Sequence, residues 1–171
     1  DPGGKGINVS KVIQKLGGAS VAAGILGGDT GRAILSALTE MGLTTLFHFV
    51  EGETRTNMKI IDPDNHTNTD INEPGVTVSE GILEKLLEEL LAKVTKEDIV
   101  VISGSMPKGS PKDTYYTWTK AFREKGAKVI LDADGDLLKA GLKASPYLIK
   151  PNNHELGALT GRALETPEEI A

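Results

Sequence analysis

Apolar residues recur along this 171-residue chain in two alternating rhythms, one helical and one strand-like. Val9, Val12, Ile13 and Leu16 fall at i, i+3, i+4 and i+7, the spacing of one helix face. Gly17-Gly18 closes that helix, and Ala19 to Leu26 (ASVAAGIL) reads as a buried strand ending at Gly27-Gly28-Asp29. Asp29 is placed to cap a second helix, whose apolar positions are Ile34, Ala37, Leu38 and Met41 and whose stop is Gly42. Leu46 to Val50 is another short strand. Strand, helix and strand in that order predict parallel pairing through a crossover.

The middle of the chain changes character. Thr54 to Ile61 reads as a strand, Asp62-Pro63-Asp64-Asn65 as a turn, and Thr67 to Asn72 as a polar, alternating strand that stops at Glu73-Pro74-Gly75. Two strands around a tight turn make a hairpin, here at about residues 54–72. Its residues are too polar for a sheet covered on both faces, so it is placed outside the main sheet as a flap or lid.

The first rhythm then resumes. Ser79 to Val94 is a leucine-rich helix, and Ile99 to Ile102 is a wholly apolar strand of the kind found at the centre of a parallel sheet. Ser110-Pro111 signals a helix start, with Tyr115, Trp118 and Phe122 as its core-facing side. Lys128 to Asp132 and Tyr147 to Lys150 are further strands. Pro151 to Glu155 leads into a helix ending near Gly161, and Thr166-Pro167-Glu168-Glu169 signals one more helix. The fold class is α/β, and the length fits one domain with a real core.

Composition narrows the function. Net charge is −5, which argues against a general nucleic-acid binder. There is no cysteine, so disulfides, thiolate catalysis and cysteine-held zinc are excluded. No apolar run reaches the length of a membrane span, and a cytoplasmic location is the default expectation. His48, His66 and His154 show no metal-ligand spacing. The P-loop and Gly-x-Gly-x-x-Gly patterns are both missing.

The candidate chemistry is positional. Gly27-Gly28-Asp29, Ser103-Gly104-Ser105, Asp132-Ala133-Asp134 and Lys150-Pro151-Asn152 all follow the carboxyl ends of expected strands, the edge where open parallel sheets bind ligands. Gly3-Gly4-Lys5-Gly6 sits where the first helix begins. The first amides of a helix lack partners and attract an anion, glycine permits close backbone approach, and Lys5 adds a mobile positive charge. The plainer reading of this stretch is a tight turn with a solvated lysine. Arg55, beside the hairpin, reads equally as a ligand contact or as half of a surface ion pair.

Together these segments carry a resemblance. Gly3 to Val9, Gly27 to Gly31, Glu53 to Asn57, Thr69 to Gly75, Ser103 to Gly109 and Lys150 to Glu155 resemble, in order and spacing, the motifs of the PfkB (ribokinase-like) carbohydrate kinases. Within that family the likeness is to the 1-phosphofructokinase and tagatose-6-phosphate kinase branch. The resemblance spans essentially the whole chain. It implies a Rossmann-like α/β/α sandwich with a small β lid, here truncated at both ends, so that residues 1–171 form a partial domain. It further implies ATP and Mg2+ as cofactors and phosphorylation of fructose 1-phosphate to fructose 1,6-bisphosphate. Tagatose 6-phosphate is the alternative acceptor, and a non-catalytic sugar-phosphate-binding module is the alternative of another class. By resemblance Gly3, Gly4 and Asn8 would hold sugar hydroxyls. Lys5, Arg55 and Lys108 would meet the acceptor's existing phosphate, with Ser103 and Ser105 lining the same pocket. Asn152 and Glu155 form the Asn-x-x-Glu motif near the ATP phosphates, with Glu155 organising magnesium through water. The lid would pair two subunits of the intact protein as a homodimer.

The departures are equally informative. The family's first strand, with a sugar-binding aspartate, has no counterpart here. The Gly-Ala-Gly-Asp motif that supplies the anion hole and the catalytic base is also missing from these 171 residues. No catalytic residue is therefore assigned. Without a positioned base and anion hole, phosphoryl transfer loses its main sources of rate. The expectation is a central piece of a sugar-phosphate kinase that does not turn over alone.

Overall fold

The computed structural model describes residues 2–162 and 166. They gather into two compact units, Asp1–Ile82 with Pro107–Ser110, and Leu83–Met106 with Pro111–Ala171.

In the first unit, α1 (Lys5–Lys15) leads to β1 (Val21–Gly27), α2 (Gly28–Glu40) and β2 (Thr44–Val50). β1 and β2 pair in parallel, from Val21 opposite Thr44 to Gly27 opposite Val50. Parallel pairing requires a crossover, and α2 supplies it while burying Leu38 completely. The unit's other buried apolar residues include Leu26, Leu43, Val76 and Val78.

Two local expectations are corrected here. The apolar stripe of α1 does not face inward as a whole. Ser10 is the buried residue, while Val12 is 54% and Leu16 82% exposed. At 100° per residue, the inward face is turned about a quarter of a circle from the stripe. Only Val9 and Ile13 lie on both faces. Asp29 does not cap α2 either. The helix starts one residue before it, with Gly27 at the N-cap, and Asp29 sits in the first turn paired with Arg32.

The hairpin forms as expected. β3 (Asn57–Asp62) and β4 (Thr67–Asn72) pair antiparallel, Asn57 opposite Asn72 and Asp62 opposite Thr67. The Asp62 carboxylate accepts hydrogen bonds from the Asp64 and Asn65 amides, each at 3.1 Å, and fixes the turn. All of β4 is exposed. In this register Met58 lies opposite Ile71, and Ile60 stands on the same face two residues along.

The second unit holds most of α3 (Glu80–Leu91), then β5 (Ile99–Ser103), α4 (Thr114–Glu124), β6 (Lys128–Asp132), α5 (Gly135–Leu142), β7 (Leu148–Ile149) and α6 (Asn153–Thr160). The strands pair in parallel in the order β5-β6-β7. The centre of this sheet is β6 rather than the more uniformly apolar β5. Val129 and Leu131 are fully buried, whereas Ile99 is 61% exposed. Around β6 gather Ile102, Tyr115, Phe122, Ala133 and Leu138, so the aromatic side of α4 faces the core as expected. Trp118, half-buried, packs edge-on against Phe122 with ring centroids 6.4 Å apart.

Helix α4 begins later than Ser110-Pro111 indicates. Those residues form turns, with Ser110 Oγ donating to the Pro107 carbonyl at 2.8 Å and the Thr114 amide donating to the Pro111 carbonyl at 3.2 Å. Helix α5, which was not foreseen, starts after Asp134 and buries Leu138. The helix signalled at Thr166-Pro167 falls on residues 167–171, outside the described ones. Among the described residues no helix is long and apolar enough to cross a membrane.

Candidate functional site

The first unit carries Gly3, Gly4, Lys5, Asn8, Arg55 and Lys108. Gly4 is the N-cap of α1, with φ 115°, a conformation that side chains rarely adopt. Gly4 has no side chain with which to cap this helix, and no acid stands in its first turn. Lys5 is exposed at the first helical position, and the Asn8 amide donates to the Gly4 carbonyl at 3.0 Å. The helix thus opens on exposed glycines and one lysine, with amides that attract an anion.

The start of α2 is different. The Glu53 carboxylate accepts from the Asp29 amide at 3.0 Å and the Thr30 amide at 3.1 Å. These bonds, that to Thr30 foremost, hold the Glu53 carboxyl below its ordinary value of 4.5. The Gly27-Gly28-Asp29 loop is therefore occupied by the chain's own anion. Glu53 stood beside a candidate residue, yet its role was not legible, because its partners lie 23 and 24 positions away.

Arg55 and Lys108 come to one segment. The Arg55 stem lies against Gly75, where an added Cβ would sit 3.3 Å from the Arg55 Cβ. Glu73 Oε2 accepts from the Thr56 amide at 2.8 Å. Two residues beyond Gly75, Thr77 bridges to Lys108 in parallel, and the Val78 amide donates to the Lys108 carbonyl at 2.8 Å. Both cations are exposed and flank residues 73–78.

The second unit carries Ser103, Ser105, Asn152 and Glu155. Ser103 ends β5, and its buried Oγ has no hydrogen-bond partner among the described residues. The next residue is fixed twice, the Gly104 amide donating to the Asp132 carbonyl at 3.2 Å and its carbonyl accepting from Tyr115 Oη at 2.9 Å. Ser105 is exposed. Asn152 and Glu155 form a reciprocal capping box at the start of α6. Asn152 Oδ1 accepts from the Glu155 amide at 2.9 Å, and Glu155 Oε2 accepts from the Asn152 amide at 2.8 Å. The Asn-x-x-Glu spacing is thus first a helix-starting device. It uses Asn152 Oδ1 and Glu155 Oε2, while Asn152 Nδ2 and Glu155 Oε1 make no hydrogen bond among the described residues. Among the described residues no three acidic or histidine side chains gather to ligate an ion directly. The donor set suits a cation that keeps its own waters. Lys150, just past β7, lies 3.5 Å from Asp132 at the end of β6.

The pfkB family carbohydrate kinase model matches residues 1–171. The chain belongs to the pfkB family. Its family relatives include a 1-phosphofructokinase of Bacillus subtilis (strain 168), 41% identical over 168 residues, covering 98% of this chain and 54% of the relative. Among solved structures, phosphofructokinase-2 from Escherichia coli in complex with fructose-6-phosphate superposes with a TM-score of 0.88 at 31% identity. That match covers 98% of this chain and 55% of the other, and the same enzyme has been solved in a tetrameric inhibited form. A ribokinase from Thermotoga maritima, 22% identical with a TM-score of 0.68, shares the fold over 98% of this chain and 54% of its own. The pfkB-family chain spans about half the length of the curated relatives it matches. The expected ribokinase-like α/β fold is borne out by these matches.

Proposed function

We propose that residues 1–171 are a partial ribokinase-like domain of an ATP-dependent sugar-phosphate kinase that converts fructose 1-phosphate to fructose 1,6-bisphosphate. The observation that carries this reading is the placement of Arg55 and Lys108 on one short segment of a unit whose first helix opens on Gly4 and Lys5. Exposed cations beside a helix N-terminus suit an acceptor that already bears a phosphate dianion. The 41% identity to a 1-phosphofructokinase supports the choice of sugar. Gly3, Gly4 and Asn8 serve the sugar hydroxyls, and Ser103 and Ser105 line the acceptor pocket. Asn152 and Glu155 serve ATP, with Glu155 Oε1 ordering the water shell of Mg2+. When bound, Mg2+ neutralises charge on the nucleotide phosphates.

The hairpin acts as the lid, and in the intact protein it pairs with that of a second copy. A lone two-stranded hairpin is marginal in water, and Met58, Ile60 and Ile71 share an exposed face on it.

The test is a coupled assay of the full-length protein carrying this chain, with ATP and fructose 1-phosphate, tagatose 6-phosphate or fructose 6-phosphate as acceptor. Preference for fructose 1-phosphate in kcat/KM is expected, and turnover of none of the three overturns the kinase reading. Lys5→Ala should raise the KM for the sugar phosphate far more than that for ATP; equal effects remove Lys5 from the phosphate site.

A further inference from the structure

Residues 52–56 carry Arg55, and nearly every residue around it is pinned. Upstream, Glu53 is held by the Asp29 and Thr30 amides. Thr54 is held three times: its amide donates to the Gly27 carbonyl at 3.0 Å, its Oγ1 accepts from the Gly27 amide at 2.8 Å, and the same Oγ1 lies 3.2 Å from the Gly27 carbonyl. Downstream, the Thr56 amide is held by Glu73. Between them Arg55 makes no ion pair among the described residues. Its guanidinium is thus carried by an anchored backbone and left unneutralised. Gly28 takes part in the anchoring. Its φ is +63°, and a Cβ there would lie 1.9–2.2 Å from the Glu53 carboxylate atoms, so the carboxylate occupies the space that the missing side chain leaves.

We infer that Glu53 is a positioning residue for Arg55: its carboxylate, bound to the first amides of α2, fixes the segment that presents the guanidinium to the acceptor phosphate. The inference rests on the reading of Arg55 as a phosphate contact. A charged acceptor suits this task, because bonds from amides to a carboxylate are stronger than those to a neutral oxygen. Holding a binding group in place matters, because a displacement of about 1 Å forfeits much of the affinity of a bidentate arginine contact.

The experiment uses the full-length protein and four variants, Arg55→Ala, Glu53→Ala, Gly28→Ala and the double variant Glu53→Ala/Arg55→Ala. Glu53→Ala should raise the KM for the sugar phosphate at least tenfold while leaving the KM for ATP and kcat within twofold. Gly28→Ala, which expels the carboxylate without removing it, should reproduce that split. The double variant should show little more than the effect of Arg55→Ala alone. A Glu53→Ala protein with a lowered Tm and an unchanged sugar-phosphate KM overturns the inference and reduces Glu53 to a helix cap. If Arg55→Ala itself leaves that KM unchanged, the reading of Arg55 fails and takes the inference with it. If Arg55→Ala raises it and Glu53→Ala does not, the inference alone fails. Should Glu53→Ala not fold, Glu53→Gln, which keeps one acceptor oxygen, carries the same comparison with a threefold rise in KM as its threshold.

Discussion

The hydroxyl of Tyr115, a residue only 3% exposed, donates to the carbonyl of Gly104 at 2.9 Å. A core aromatic thus reaches out of the hydrophobic cluster to hold the loop that carries Ser103 and Ser105. Tyr115→Phe keeps the packing and strands the carbonyl, which should cost about 1 kcal/mol. Urea denaturation measures this, and an unchanged midpoint would show that the loop finds another donor.

The same hydroxyl gives an alkaline prediction. Burial, and after it the charges of Asp134 and Asp132, push the Tyr115 phenol well above its usual 10.0. With the folded value raised, its contribution is complete below the unfolded pKa of about 10 and is lost as pH rises beyond it. Wild-type and Tyr115→Phe chains should therefore differ in stability at pH 8 and converge as the solution is taken above pH 10.

Acid acts through other groups. Hydrogen bonds hold Glu53 below 4.5, Asp62 below 3.8 through the Asn65 side chain first, and Asp98 below 3.8 through the Thr95 amide first. Folded values below unfolded ones mean stability that is present above about pH 4.5 and is lost as pH falls through the folded values. A thermal-melt series from pH 6 to pH 2.5 should show Tm falling below pH 4.5. In Asp62→Asn the fall should be shallower.

Gly141 on α5 faces Leu131, which is fully buried on β6, and a Cβ there would lie 2.5 Å from a Leu131 methyl. In an exposed helix, replacing glycine by alanine stabilises by about 1 kcal/mol. Here overpacking, at about 1–3 kcal/mol, opposes that gain and wins or cancels it. Gly141→Ala should leave the protein no more stable, and a rise in Tm would show that Leu131 can move aside.

The hairpin supplies a prediction about assembly. Ile60 is 52% exposed, opposite Thr69 and on the face that carries Met58 and Ile71. If two lids pair through this face in the full-length protein, Ile60→Asp should shift the sedimenting species from dimer to monomer. An unchanged dimer would place the interface elsewhere.

Much of this was legible where the signal is local. The hairpin could be read because turn chemistry at Asp62-Pro63-Asp64-Asn65 and a polar strand stand side by side in sequence. Asn152 and Glu155 stood out through the Asn-x-x-Glu resemblance, and the structure adds that the same three-residue spacing builds a capping box. What escaped depended on distant partners. A period of 3.6 finds the α1 stripe but not which side its neighbours take, and Leu16 ended up outside. The cap of α2 comes from Glu53 rather than from the adjacent Asp29. Helix α5 was missed because Leu137, Leu138 and Leu142 fall in a run of eight residues, too short for periodicity to declare itself.

The first unit holds the starts of both α1 and α2, and the chain fills that of α2 itself. With Glu53 seated on α2, a visiting anion meets competition there. An internal carboxylate works as a built-in occupant, closing the α2 end to outside anions before any ligand arrives.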